Sequence, residues 1–115
     1  RVPLSKRCIE ILQSIETNKD TEAYIFPGWK SSQSLSNGAF LSLLRRFDYH
    51  HITPHGFRST FRDWAAEQAH TFQNETVELA LAHKISNSTE AAYRRGDQLE
   101  RRRALMNSWS DYIER

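Results

Sequence analysis

Apolar residues recur along this chain at three- and four-residue spacings, in stretches parted by short polar runs. In residues 54–69, Phe57, Phe61, Trp64 and Ala65 fall at i, i+4, i+7 and i+8, the spacing of a helix face turned to a core. Thr53 and Pro54 make an ordinary start for that helix, a capping hydroxyl followed by a residue suited to the first helical position. Residues 4–17 carry a similar face of Leu4, Cys8, Ile11, Leu12 and Ile15, with Ser5 or Leu4 near the start. Residues 35–47 carry another, capped by Ser34 or Ser36, with Phe40, Leu43, Leu44 and Phe47 expected inward. Asn74 is the expected cap of a fourth helix that buries Val77, Ala80 and Leu81. Ser86-Asn87-Ser88 then breaks the pattern. Asn87 and Glu90 have capping-box spacing for a short helix through about Arg95, which Gly96 stops. Asp97 and Glu100 repeat that spacing for a last helix over 98–114, with a stripe of Leu105, Met106, Trp109, Tyr112 and Ile113. Elsewhere, YIFPGW is a short extended piece ended by the turn signal Pro27-Gly28, SSQSLSNG is a polar loop and DYHHIT a connector. The pattern predicts a mainly α chain of about five to six helices with little strand, forming a single domain over residues 1–115.

Composition agrees with one modest core: 115 residues, 38% hydrophobic and 11% aromatic, exclude a disordered chain. A net charge of +2 is mildly basic and does not by itself announce nucleic-acid binding. The arginines are nevertheless bunched, at Arg45-Arg46, Arg94-Arg95 and Arg101-Arg102-Arg103, and the ordinary reading of such a bunch is a solvated helix face. Cys8 stands alone, so there is neither a disulfide framework nor a cysteine cluster for zinc, and a reducing, cytoplasmic setting fits. The sequence shows no signal peptide and no membrane span. Its opening, RVPLSKR, does not read as a natural start, and the chain is expected to be a fragment of a longer protein.

Three short segments carry candidate chemistry: HGFR at 55–58, LAH at 81–83 and AAY at 91–93. His55 and Arg58 lie off the apolar stripe of their helix, three positions apart, so both can act on one object. Taken singly, each segment has a plainer explanation. A His-x-x-Arg pair is commonly a surface pair, a histidine ending an apolar helix commonly caps it, and Tyr93 suits a half-buried aromatic. His50-His51 are adjacent and cannot easily face one ion, so they read as loop residues.

The order and spacing of these segments resemble the tyrosine recombinase (phage integrase) family, in its prophage integrase branch. His55-Gly56-Phe57-Arg58 resembles the family's His-x-x-Arg box and Thr60-Phe61 the pair that follows it. Leu81-Ala82-His83 resembles the Leu-Gly-His box, and Tyr93 stands where the nucleophilic tyrosine is expected, ten residues after His83. RVPLS is similar to the segment after the family's β-hairpin, and YIFPG to its hydrophobic-Phe-Pro turn. Many members have Gly where Ala82 stands and Leu where Phe57 stands. The resemblance spans nearly the whole chain and implies the carboxy-terminal part of a catalytic domain, without the upstream hairpin and amino-terminal DNA-binding domain. The family's first catalytic arginine and its hairpin lysine belong to that upstream part, and the lysine's role passes to none of Lys6, Lys19 and Lys30.

The resemblance implies site-specific DNA recombination, the integration and excision of a prophage. Tyr93 would attack the scissile phosphodiester and displace a 5′-hydroxyl, leaving a 3′-phosphotyrosyl bond that conserves the energy of the broken ester. No ATP, metal or other cofactor is implied. Arg58 and His83 would donate to the non-bridging oxygens, with His55 orienting or relaying a proton nearby. Arg62, Lys84, Arg94 and Arg95 would contact DNA. The implied partners are double-stranded DNA attachment sites, further copies forming a tetramer on DNA, and accessory DNA-bending proteins, in a bacterial cytoplasm at the nucleoid. A non-catalytic helical DNA-binding module, or a decayed prophage remnant, is the alternative these residues leave open. Retention of His55, Arg58, His83 and Tyr93 together favours the enzyme.

Overall fold

The computed structural model describes residues 1–15, 23–30, 32–83 and 96–115. These residues form five helices: α1 (Lys6–Ser14), α2 (Ala39–Arg46), α3 (Pro54–Gln68), α4 (Asn74–Ala80) and α5 (Leu99–Ile113). Among the described residues there is no strand, only an isolated antiparallel bridge between Pro27 and Ser34. The mainly α expectation holds. The expected short helix through Arg95 lies outside the described residues.

The helix starts follow local chemistry closely at two places. Ser5 caps α1 by accepting from the Cys8 N–H at 3.2 Å, and Thr53 caps α3 by accepting from the Gly56 N–H at 3.1 Å, with Pro54 in the first turn. Elsewhere the start moves. α2 begins at Ala39 behind Gly38, with no side-chain cap, so neither Ser34 nor Ser36 plays that part. Gln73 holds the cap position of α4, and Asn74 is its first helical residue. The Asn74 amide oxygen instead accepts from Arg62 at 2.7 Å.

The core is built from α3, α4 and α5. Phe61, Trp64 and Ala65 of α3, Ala69 just after it, Val77 and Leu81 around α4 and Leu105 of α5 are buried together. Phe72, Ala80, Met106 and Trp109 pack against them. Trp64 sits at the centre of an aromatic group, with ring centroids 5.8 Å from Phe61, 5.0 Å from Trp109 and 5.9 Å from Tyr112. Phe61 meets Trp109 edge-on at 5.5 Å and 82°, a favoured arrangement for aromatic quadrupoles.

Expected apolar faces on four helices are less buried than their periodicity implies. Phe57 is 59% exposed, although it shares a stripe with Phe61 and Trp64. On α2, Phe40, Leu43 and Phe47 are all exposed rather than inward. Leu4, expected within α1 but lying before it, Cys8 and Ile11 on α1, and Tyr112 and Ile113 on α5 are exposed as well. Periodicity shows which face a helix could bury; a face is buried only where another element covers it, and apart from the Tyr112 ring beside Trp64 these residues lie largely uncovered among the described residues.

Arg102 departs in the opposite direction. Placed by its neighbours on a solvated face, it is 7% exposed. Its guanidinium donates to the Asp97 carbonyl at 2.7 Å and, through two nitrogens, to the Arg1 carbonyl at 3.2 Å, and lies 3.3 Å from the Asp97 carboxylate. Asp97 also takes two hydrogen bonds from the Arg1 guanidinium at 3.1 Å and one from the Leu99 N–H at 3.3 Å. The Asp97 carboxylate therefore caps α5, but one residue outside Gln98, which itself occupies the left-handed region at φ 49°. Buried charges persist only when paired and hydrogen-bonded, and here the pairing ties the amino-terminal segment to the start of α5. The Gln98 side chain accepts from the buried Thr76 hydroxyl at 2.7 Å, which fastens the start of α5 to α4.

Candidate functional site

The end of α4 decides the geometry of this region. Leu81 ends the helix, Ala82 takes φ 53°, and the chain folds back on itself. The His83 N–H donates to the Glu78 carbonyl at 3.0 Å and the Ala82 N–H to the Leu79 carbonyl at 3.1 Å. This bond pair is a Schellman motif, in which the residue just past the helix adopts the left-handed conformation that glycine takes most easily. Here that residue is alanine, whose Cβ makes the conformation unfavourable by roughly 1–2 kcal/mol. Ala82→Gly is expected to relieve that strain, less what glycine loses in the unfolded chain, for a net gain of about 0.5–1 kcal/mol. Chemical denaturation measures it; an unchanged or lower midpoint would remove the strain argument.

The motif brings the His83 ring back over the side chain of Glu78. His83 Nδ1 lies 2.6 Å from Glu78 Oε2, and the other carboxylate oxygen accepts from Arg62 Nε at 2.8 Å. Arg62 in turn donates to Asn74, so one chain of contacts runs Asn74–Arg62–Glu78–His83. From the opposite side, Arg58 Nη2 donates to the Leu81 carbonyl at 2.6 Å, across 23 residues of sequence. That carbonyl is left free by the end of the helix, and a guanidinium is a strong donor to it. Arg58 and His83 both stay exposed at their outer edges. The remaining Arg58 N–H groups and His83 Nε2 have no protein partner among the described residues. His55 occupies the first turn of α3, exposed, with no hydrogen bond or ion pair among the described residues.

Thus the structure draws Arg58, Arg62 and His83 to one end of the α3–α4 pair, with His55 one turn earlier on α3. The expected DNA contact Arg62 is held by Glu78 and Asn74. Tyr93, Lys84, Arg94 and Arg95 lie outside the described residues. Sequence reasoning passed over Glu78. Its signal was the spacing itself, because a Schellman turn at Leu81–His83 sets the residue five before the histidine beside it.

The hydrogen bond from His83 holds the Glu78 carboxyl below its ordinary value, against the opposing push of desolvation, and the Arg62 charge adds to the lowering. A carboxylate whose folded-state value is depressed contributes stability that is present above the unfolded value and lost as pH falls through the folded one. The chain is therefore expected to lose stability on acidification below the ordinary carboxylate range. Glu78→Gln should flatten that limb of a pH-denaturation curve. An acid limb unchanged by the substitution would mean that the cluster does not couple to folding. Asp97 is lowered too: desolvation raises it, and the hydrogen bonds and charges of Arg1, the Leu99 N–H and Arg102 outweigh that.

Several phage-encoded proteins are similar to this chain over almost its whole length. The prophage integrase IntZ of Escherichia coli K12 is 34% identical over 114 residues, which cover 98% of this chain and 28% of that protein. Prophage integrase IntA of the same strain is 31% identical over 115 residues, covering 98% and 27%. The chain belongs to the phage and prophage integrase family. The integrase of Shigella phage Sf6 is 27% identical over 116 residues, covering 98% of this chain and 30% of that one. This integrase chain thus spans less than a third of the length of these relatives and is a fragment by comparison with them. Because the match takes in 98% of it, the Arg58–His83 cluster lies within the region shared with other integrases. No family model matches the chain, and neither does any solved structure at a significant level. Among the described residues no helix is long and apolar enough to cross a membrane.

Proposed function

We propose that this chain is the carboxy-terminal part of the catalytic domain of a tyrosine-type site-specific recombinase, which joins and releases prophage DNA at double-stranded attachment sites. The observation that carries the reading is the hydrogen bond from Arg58 to the Leu81 carbonyl, two residues before His83. It joins the His55–Arg58 motif of α3 to the Leu81–His83 motif at the end of α4, and among the described residues neither the rest of the arginine fork nor the outer histidine edge has a protein partner. Those are the donor types suited to a phosphate in which charge grows on the non-bridging oxygens.

In this reading the Tyr93 hydroxyl gives up its proton and its oxygen attacks phosphorus. The bond to the 5′-oxygen breaks, that oxygen takes a proton, and a 3′-phosphotyrosyl ester remains. A second strand's 5′-hydroxyl reverses the step on a new partner. Arg58 and His83 bind the transition-state oxygens, and His55, at the amino-terminal end of α3, orients or relays a proton. Lys84, Arg94 and Arg95 meet the DNA backbone. The whole protein would supply the upstream arginine and lysine, and would act as a tetramer on DNA with accessory bending proteins, at the bacterial nucleoid.

A nicked suicide substrate carrying the attachment site, incubated with the full-length protein, tests this. The expected product is a protein–DNA adduct that survives denaturation and maps to Tyr93 by peptide sequencing. An adduct on another residue would sink the nucleophile assignment. Folded full-length protein that binds its site and forms no adduct would favour the non-catalytic DNA-binding module.

A further inference from the structure

We infer that Glu78 is a positioning residue for His83: its carboxylate, steadied by Arg62, fixes which nitrogen of the ring faces the substrate. This rests on the proposed role of His83 as a donor to the scissile phosphate. Four contacts carry it. His83 Nδ1 is 2.6 Å from Glu78 Oε2, a short contact of the kind made between an imidazole and a carboxylate. The backbone of the same two residues is joined by the 3.0 Å Schellman bond, so ring and carboxylate cannot drift apart independently. Arg62 Nε donates to Glu78 Oε1 at 2.8 Å and its Nη2 to Asn74 at 2.7 Å, which leaves the carboxylate one orientation.

The chemical consequence follows from the two ring nitrogens. A carboxylate is an acceptor only, so the nitrogen beside it carries the hydrogen. Nδ1 is thereby committed to Glu78, and Nε2 is the nitrogen turned outward. When the ring is protonated, Nε2–H is a donor for a phosphate oxygen at a fixed angle. Without Glu78 the ring can rotate and present either nitrogen, and a donor that must reorganise during the reaction stabilises the transition state less. Arg62 then serves the site through Glu78, because two of its nitrogens are already engaged within the protein. A carboxylate that orients a functional histidine typically matters by about ten- to a hundredfold.

A double-mutant cycle in the full-length protein tests the inference. Single-turnover cleavage of the nicked substrate is measured for the parent, Glu78→Gln, His83→Ala and the double variant, with DNA affinity and thermal stability measured alongside. Glu78→Gln is expected to slow cleavage roughly tenfold or more with DNA affinity unchanged, and to slow His83→Ala no further. Glu78→Asp, which keeps the charge on a shorter arm, should recover part of the rate. Cleavage by Glu78→Gln at the parent rate overturns the inference. So does an equal loss in both backgrounds, which would show Glu78 acting on the fold and not through His83. If His83→Ala itself cleaves at the parent rate, the donor role of His83 fails and the inference falls with it. If His83→Ala is slow and Glu78→Gln is not, only the inference falls.

Discussion

Arg58→Ala in the full-length integrase is expected to slow adduct formation by roughly a hundred- to a thousandfold, the loss typical of removing one preorganised donor to a developing oxyanion. In the role proposed above, Arg58 would be a preorganised donor. The Leu81 carbonyl holds Nη2 at 2.6 Å, so the guanidinium is oriented before any DNA arrives. Arg58→Lys should recover little of the rate. A lysine has one ammonium at the end of its stem and no planar fork, so it cannot hold the Leu81 carbonyl and meet a phosphate edge with matched geometry. The measurement is single-turnover cleavage at saturating protein, with affinity for the attachment site followed separately. A thermal melt of each variant separates lost chemistry from a lost helix end, because the freed carbonyl also loses a charged hydrogen bond worth about 1.5–3 kcal/mol. Parent-like cleavage by Arg58→Ala would remove Arg58 from the reacting centre.

The largest expected effect on stability belongs to Trp64→Ala, at about 3–5 kcal/mol. Trp64 is 7% exposed and its ring meets Phe61, Trp109 and Tyr112, so it joins α3 to α5 directly. Truncation removes the apolar area and leaves a space that rings this rigid cannot close. A single domain is stable by only about 5–15 kcal/mol, so the loss takes a large share of the total. Because α3 carries His55, Arg58 and Arg62, the variant should also lose the site. Urea denaturation followed by tryptophan fluorescence reads the change. A midpoint shift no larger than that of the exposed Phe57→Ala would contradict the core drawn here.

Local signals in the sequence determined much of the scaffold of the site. Thr53-Pro54 set the start of α3, the Phe61/Trp64/Ala65 stripe set its buried face, and Leu105 marked the buried side of the last helix. These are properties of a few neighbouring residues, and the chain needs no distant partner to express them. The motif residues Arg58 and His83 were legible as candidates only through the resemblance that their segments, in order and spacing, bear to the family's motifs; singly, each segment had a plainer reading.

What brought Arg58 and His83 together was decided in three dimensions. The link runs through a backbone carbonyl at Leu81, and every residue has a carbonyl, so no residue type signals it. Glu78 became the neighbour of His83 because Ala82 accepted a left-handed turn that its side chain disfavours, a conformation its identity argues against. Arg102, lodged among like charges in sequence, is buried because Asp97 and the Arg1 carbonyl meet it from opposite ends of the chain. Phe40, Leu43 and Phe47 show the converse, an apolar face with the right period that nothing in the described residues covers. Periodicity is a property of one helix, whereas burial, pairing and convergence belong to pairs of elements. Only the packing of α3, α4 and α5 decides which pairs form.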